Sequence, residues 1–140
     1  MQLDAALHDI VEAHCVQGDE HFEREAYRKA LDAYQTAWDL LPAPKERWDI
    51  GTWIMVAIGD TCHMLDDFES SARAYRHAQA CPGGRGNPLL HLRLGQAAFD
   101  QDAFDDAGDE LLLAYRGAGE KIFKDEDPIY LAFLKRARTL

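Results

Sequence analysis

Two adjacent pairs, His14-Cys15 and Cys62-His63, are the first places in this chain where chemistry could reside. A thiolate beside an imidazole suits zinc, and a thiol activated by an imidazole suits nucleophilic catalysis. Their register argues against both. The first pair falls early in its helix and the second late in its own, an offset of about eight residues or about 12 Å. One tetrahedral site cannot span that distance. No CxxC, HExxH or G-x-S-x-G spacing occurs, and no third group is placed to orient a Cys-His pair. The glycine-rich run PGGRGNP at 82–88 lacks the Gly-Lys-Ser/Thr that cradles phosphate, and reads as a flexible link. Asp66-Asp67 sits on a turn, whereas acid–base work needs two carboxylates facing each other across a pocket. The residues therefore predict no metal, no cofactor and no enzymatic activity.

The elements that carry these residues read as helices throughout. Pro42, Pro44, the 82–88 loop and Pro128 mark breaks, and between them the apolar residues recur at helical spacing. Asn87-Pro88 and Asp127-Pro128 each pair a capping side chain with a first-turn proline. The predicted helices cover 3–20, 24–41, 46–64, 68–80, 88–100, 104–122 and 128–138. No segment carries strand alternation with hairpin punctuation.

Two of these windows are the same unit used twice. Ile58, Gly59, Phe68 and Ala78 meet Leu94, Gly95, Phe104 and Ala114 at one constant offset. Glycine inside a helix costs about 1 kcal/mol relative to alanine, so Gly59 and Gly95 need a reason. Close approach of a bulky neighbour, Tyr75 or Leu111, supplies one. Ala78 and Ala114 keep the second helix slim for the next pair. A third copy lies upstream, with Gly18, Tyr27, Ala30, Tyr34, Ala37 and Pro42 at the same internal spacings. The connector PAPKERWDI at 42–50 accounts for its longer step.

The stretches GDEHFEREAYRKALDAYQTAWDLLP and LGQAAFDQDAFDDAGDELLLA resemble the tetratricopeptide repeat (TPR) pattern of Leu-Gly, aromatic, Ala, aromatic, Ala and Pro. The resemblance covers roughly residues 5–120. Its departures are Met55 and His91 at the opening-turn position and Ser71 at the alanine. It implies an all-α single domain, 1–140, with three helix-turn-helix repeats near 11–44, 52–85 and 88–121. These would form a right-handed superhelical array closed by a C-terminal capping helix, 128–138.

In such arrays the first helices line the concave side. Met55, Ile58, Gly59 and Cys62 form the stripe of helix 53–64 that packs on its partner. Trp53, Val56, Asp60 and His63 form a second stripe, rotated away. Its equivalents are Leu89, Leu92, Gln96 and Phe99 in the third repeat, and Glu12, Cys15, Asp19 and Phe22 in the first. Phe22, Trp53, Leu89, Leu92 and Phe99 suit water poorly, and an exposed apolar patch marks an interaction site. The expectation is a groove that grips a protein partner. Two alternatives stay open. The last helix, with Ile129, Tyr130, Phe133, Leu134 and Ala137 on one face, could fill the groove, or a homodimer could bury it. The run 100–110 holds six acids and no base. Asp100, Asp102, Asp105 and Asp106 are therefore expected as an acidic rim that steers a basic partner, set against plain solvation of turns.

The net charge of −10 argues against nucleic acid and anionic membrane as partners. The start of the chain lacks a secretory pattern and the three cysteines do not form an even framework, so a cytoplasmic location is expected. TPR arrays that clamp acidic chaperone tails use basic and Asn residues. Here those sites carry Cys15, Asp19, Ala57, Leu89 and Arg93, and only Arg93 fits. The phrases GNPLLHLRLGQAAFD and EKIFKDEDPIYLAFLK resemble small bacterial TPR proteins associated with polymorphic or type VI secreted toxins. That resemblance implies an immunity protein that neutralises a toxin. The alternatives are a type III-like secretion chaperone holding an apolar client segment, and a structural homodimeric scaffold.

Overall fold

The structure, a computed structural model, describes all residues from 1 to 140. It contains α1 (Ala5–Glu23), α2 (Tyr27–Asp39), α3 (Asp49–Met64), α4 (Phe68–Gln79), α5 (Pro88–Asp100), α6 (Phe104–Ala118) and α7 (Pro128–Ala137). Two short 3₁₀ turns, Lys45–Arg47 and Glu120–Phe123, complete the regular structure. The fold is all-α, in three helical hairpins followed by one further helix. The predicted proline caps form as expected. Asn87 Oδ1 accepts from the Leu89 amide at 2.9 Å, and Asp127 Oδ1 accepts from the Ile129 amide at 3.0 Å. Both satisfy amides that the helix itself leaves unpaired.

Several helix bounds differ from expectation, the first helix running Ala5–Glu23 rather than 3–20, and three of the shifts have local reasons. Helix 24–41 begins only at Tyr27, because residues 24–26 form a tight turn. Helix 46–64 begins at Asp49, after the 3₁₀ turn. Helix 104–122 stops at Ala118, because Gly119 adopts φ 77° and breaks the α ladder.

The hairpin turns obey one rule. Glu25, Asp66 and Asp102 have φ of 60°, 58° and 61°, and they occupy equivalent positions in the three repeats. In each turn the next amide reaches back to close the preceding helix: Ala26 to the His21 carbonyl, Asp67 to Cys62 and Ala103 to Ala98, at 2.8–2.9 Å. This is the left-handed helix stop usually made with glycine, so it carries a conformational cost at an acidic residue.

Two compact units emerge, residues 1–85 and 86–140. In the first, α1 packs on α2, α2 on α3, and α3 on α4. A Cβ placed on Gly18 would lie 2.5 Å from Cε1 of Tyr34, and one on Gly59 would lie 2.5 Å from Cε1 of Tyr75. The two rings wedge against bare backbone, as the repeat pattern predicted. Each hydroxyl then donates to the residue after the glycine: Tyr34 to Asp19 at 2.5 Å and Tyr75 to Asp60 at 2.6 Å. The departure at Ser71 has a reason too. Its fully buried hydroxyl donates to the Gly59 carbonyl at 2.9 Å.

The connector 42–50 is pinned rather than loose. Lys45 Nζ donates to the Trp38, Asp39 and Leu41 carbonyls at the end of α2, where a cation is favoured. Trp48 Nε1 donates to the Pro42 carbonyl at 2.7 Å. The start of the 82–88 loop is likewise closed, which corrects its reading as a flexible link. Gly84 is buried, its amide donates to Cys81, and a Cβ there would sit 1.9 Å from the Ala78 carbonyl oxygen.

In the second unit, α5 and α6 pair around Gly95 and Leu111, where a Cβ on the glycine would fall 2.6 Å from the leucine side chain. The Glu120–Phe123 turn and α7 fold back over this hairpin. Leu92, Leu111, Ala114, Phe123 and Leu134 form one sealed cluster, each 5% exposed or less. Burying a leucine-sized side chain contributes about 1.5–3 kcal/mol, so this cluster holds α7 down.

Candidate protein-binding surface

The second stripe of α3 is placed as its register requires. Met55, Ile58, Gly59 and Cys62 are buried, while Trp53 projects with 61% of its surface exposed. Trp38 and Trp48 are 6% and 7% exposed, so Trp53 stands apart from the other two tryptophans. Val56, Asp60 and His63 are half-buried along the same stripe. His63 packs edge-on against Phe68, with centroids 5.2 Å apart, and Phe22 packs edge-on against Tyr27 at 5.3 Å.

Helix α1 supplies the opposite wall. His8 of α1 and Asp49, Ile50 and Trp53 of α3, with Met1 to Leu3, line a cavity of about 220 Å³. The Met1 backbone carbonyl accepts from the Asp49 amide at 2.9 Å, which ties this segment to the start of α3. Further along, Asp19 and Asp60 converge on Tyr34. Burial first, then its bond to Asp19, then the charges of Asp19, Cys15 and Asp60, push the Tyr34 hydroxyl well above the usual tyrosine range. Burial, Asp19 and Glu12 likewise raise the Cys15 thiol to about 11. The face shared by α1 and α3 is therefore aromatic at its edge and acidic along its middle.

The equivalent stripe of the second unit is not available, and this corrects part of the expected groove. Leu92 is 1% exposed, beneath Phe123 and Leu134. Gln96 is 5% exposed, and its Nε2 donates to Glu126 Oε1 at 2.7 Å. Phe99 is boxed by Phe104, Tyr130 and Phe133, with ring centroids 5.1–5.5 Å away. Leu89 is half-buried against the same cluster. The physical reason is the C-terminal segment, which carries enough apolar surface to cover this stripe itself. Arg93, the one residue that suited a carboxylate clamp, donates to Glu126 at 2.5 Å and to Gln96 Oε1 at 2.9 Å. Burial alone would raise the Glu126 carboxyl, but Gln96 and Arg93 hold it below the usual carboxylate range.

Each member of the expected acidic rim has a local role. Asp100 accepts from the Tyr130 hydroxyl at 3.0 Å. Asp102 is the left-handed turn residue. Asp105 and Asp106 lie in the first turn of α6, where negative charge complements the helix dipole. Asp102, Asp105 and Asp106 nevertheless remain exposed.

The thiols are free, and burial also pushes Cys62 up, and Cys81 up to about 11, which disfavours the thiolate that attacks or ligates. Sequence reasoning missed one trio, His8, Asp9 and Glu12, whose ligand atoms lie within 4.8 Å of one another. Its signal was the i, i+1, i+4 spacing on α1. Asp9 and Glu12 are open to water, so the trio adds negative charge to this face. No helix is long and apolar enough to cross a membrane.

No protein-family model and no curated relative matches the chain. Solved structures do. The chain is similar to the Yersinia enterocolitica type III secretion chaperone SycD in complex with a peptide of the translocator YopD, at 14% identity and a TM-score of 0.73. That match covers 91% of this chain and 92% of the other. A second structure of this Yersinia enterocolitica type III secretion translocator chaperone, SycD, gives a TM-score of 0.72 at 14% identity, over 91% and 83% of the two chains. The TPR domain of Arabidopsis OM64 gives 0.70 at 15% identity, over 93% and 95%. The chain has a tetratricopeptide-like helical repeat fold.

Proposed function

We propose that this protein is a protein-binding module that holds a segment of a partner on the α1–α3 face of its first unit. One observation carries the reading. A tryptophan that lines a cavity is left 61% exposed, in a unit whose other tryptophans are packed away. Tryptophan is the side chain most enriched where binding energy concentrates. The likeness in fold to SycD, a chaperone solved with a translocator peptide, supports a role in holding a client segment. A second reading, immunity against a secreted toxin, is favoured by the net charge of −10 and by the exposed Asp102, Asp105 and Asp106, which suit a basic toxin domain. A homodimer that buries Trp53 is the competing arrangement.

Affinity capture from the native host, with Trp53→Ala as the comparison, tests the proposal. The wild type is expected to retain a partner that the variant loses. A translocator-like client supports the chaperone reading, and a toxin domain supports immunity. Equal retention of every captured protein by the variant, or a stable dimer in light scattering with Trp53 shielded from quencher, overturns the docking role of this face.

A further inference from the structure

The proposed docking face also carries information about its occupant. Neither α1 nor α3 contains a single lysine or arginine. Both helices hold acids, and Asp9, Glu12, Asp19 and Asp60 lie on or beside the stripe. The partner helices are different: α2 carries Arg28 and Lys29, and α4 carries Arg73 and Arg76. Acids occur on all four helices, but the lysines and arginines of these helices are confined to α2 and α4, and the Met1 ammonium on the α1–α3 side is paired with Asp49 at 2.7 Å. Ordinary solubility does not require that, because a soluble surface normally intersperses both signs.

The apolar part of the face sets the second requirement. Trp53, Ile50 and Leu3 form the apolar part of the wall of a cavity of about 220 Å³, whose lining also includes Gln2, His8 and Asp49. That is smaller than the roughly 300–1,000 Å³ of a small-molecule site, and it is on the scale of one apolar side chain. We infer that the occupant is a cationic amphipathic segment of a partner protein, which seats one bulky apolar residue against Trp53 and turns lysines or arginines toward Asp9, Glu12, Asp19 and Asp60. The inference rests on the docking role proposed for this face. Charge complementarity of this kind raises the encounter rate and rejects acidic competitors, while the tryptophan contact sets the residence time.

Three synthetic peptides with one leucine pattern test it, their polar positions filled by lysine, glutamine or glutamate. Labelled-peptide anisotropy reads binding, and the difference in intrinsic emission between the wild type and Trp53→Ala reads Trp53, since the two buried tryptophans emit in both. The lysine peptide is expected to shift the emission to the blue and to bind about tenfold or more tighter than the glutamine peptide at low salt. Added salt should erase that advantage, and the glutamate peptide should not bind. Asp9→Asn with Glu12→Gln should reduce the lysine preference, because both side chains are exposed and the fold does not depend on them. Trp53→Ala should weaken the lysine and glutamine peptides together. Equal binding of those two peptides through Trp53 overturns the cationic occupant and leaves the docking face standing. Binding that neither moves the emission nor responds to Trp53→Ala overturns both. No binding by any peptide overturns the cationic occupant.

Discussion

Replacing Gly59 by alanine sets a local preference against a tertiary one, and the structure says which wins. Inside an isolated helix the change is favourable by about 1 kcal/mol. In this fold the new methyl would lie 2.5, 2.7 and 2.8 Å from three ring atoms of Tyr75. The ring cannot step aside freely, being 1% exposed with its hydroxyl bound to Asp60 at 2.6 Å. Overpacking costs about 1–3 kcal/mol, and losing the hydrogen bond adds about 1. After the helix gain is subtracted, Gly59→Ala should destabilise by roughly 1–3 kcal/mol, or roughly 3–5 °C in Tm for each kcal/mol. Urea unfolding followed by circular dichroism measures it. In a Tyr75→Ala background, or Tyr75→Val where more of the core must be kept, the same change should become stabilising by about 1 kcal/mol. If Gly59→Ala stabilises the otherwise unaltered protein, the wedge argument fails for all three repeats.

Other outcomes follow from the same contacts. Leu134→Ala should cost about 2–5 kcal/mol, because the side chain is fully buried under α7, and hydrogen exchange should show α7 released. Glu126 is held below its ordinary carboxylate value. Its contribution is therefore present above the unfolded value and is lost as pH falls through the folded one. Protection of α7 amides relative to their intrinsic exchange rate should fall in acid, and Glu126→Gln should flatten that dependence; an unchanged acid profile of protection would refute the role of the Arg93–Glu126–Gln96 contact. Trp53→Ala should leave stability within about 0.5 kcal/mol, as for other exposed positions. Acrylamide quenching of the intact protein should fall sharply in that variant.

Much of this architecture was legible because a few residues have narrow physical meanings. Asn87-Pro88 and Asp127-Pro128 announce helix starts, and both form. A repeated mid-helix glycine announces a close neighbour, and Tyr75 and Leu111 are those neighbours. The hairpin turns were less legible. Glycine would have marked the left-handed stop, but Glu25, Asp66 and Asp102 occupy it, and the acidity of Asp102 suggested a binding rim instead. The stripe itself divides. Register alone placed Trp53 outward, and it is exposed. Register placed Leu92, Gln96 and Phe99 the same way, yet they are covered, because periodicity within α5 says nothing about where a segment some thirty residues later comes to rest.

The leucine at position 111 reaches beyond its own hairpin. In the two earlier copies a tyrosine hydroxyl occupies the acid that follows the glycine. Leu111 offers no hydroxyl, and the residue after Gly95 is the amide Gln96, which is left to take Glu126 from the returning chain. The three copies are consequently not interchangeable modules. A tandem duplication of the last one would strand a buried amide in the interior copy, while an earlier copy moved to the end would set its aspartate against Glu126. The terminal hairpin is thus matched to the returning chain in a way that neither earlier hairpin is.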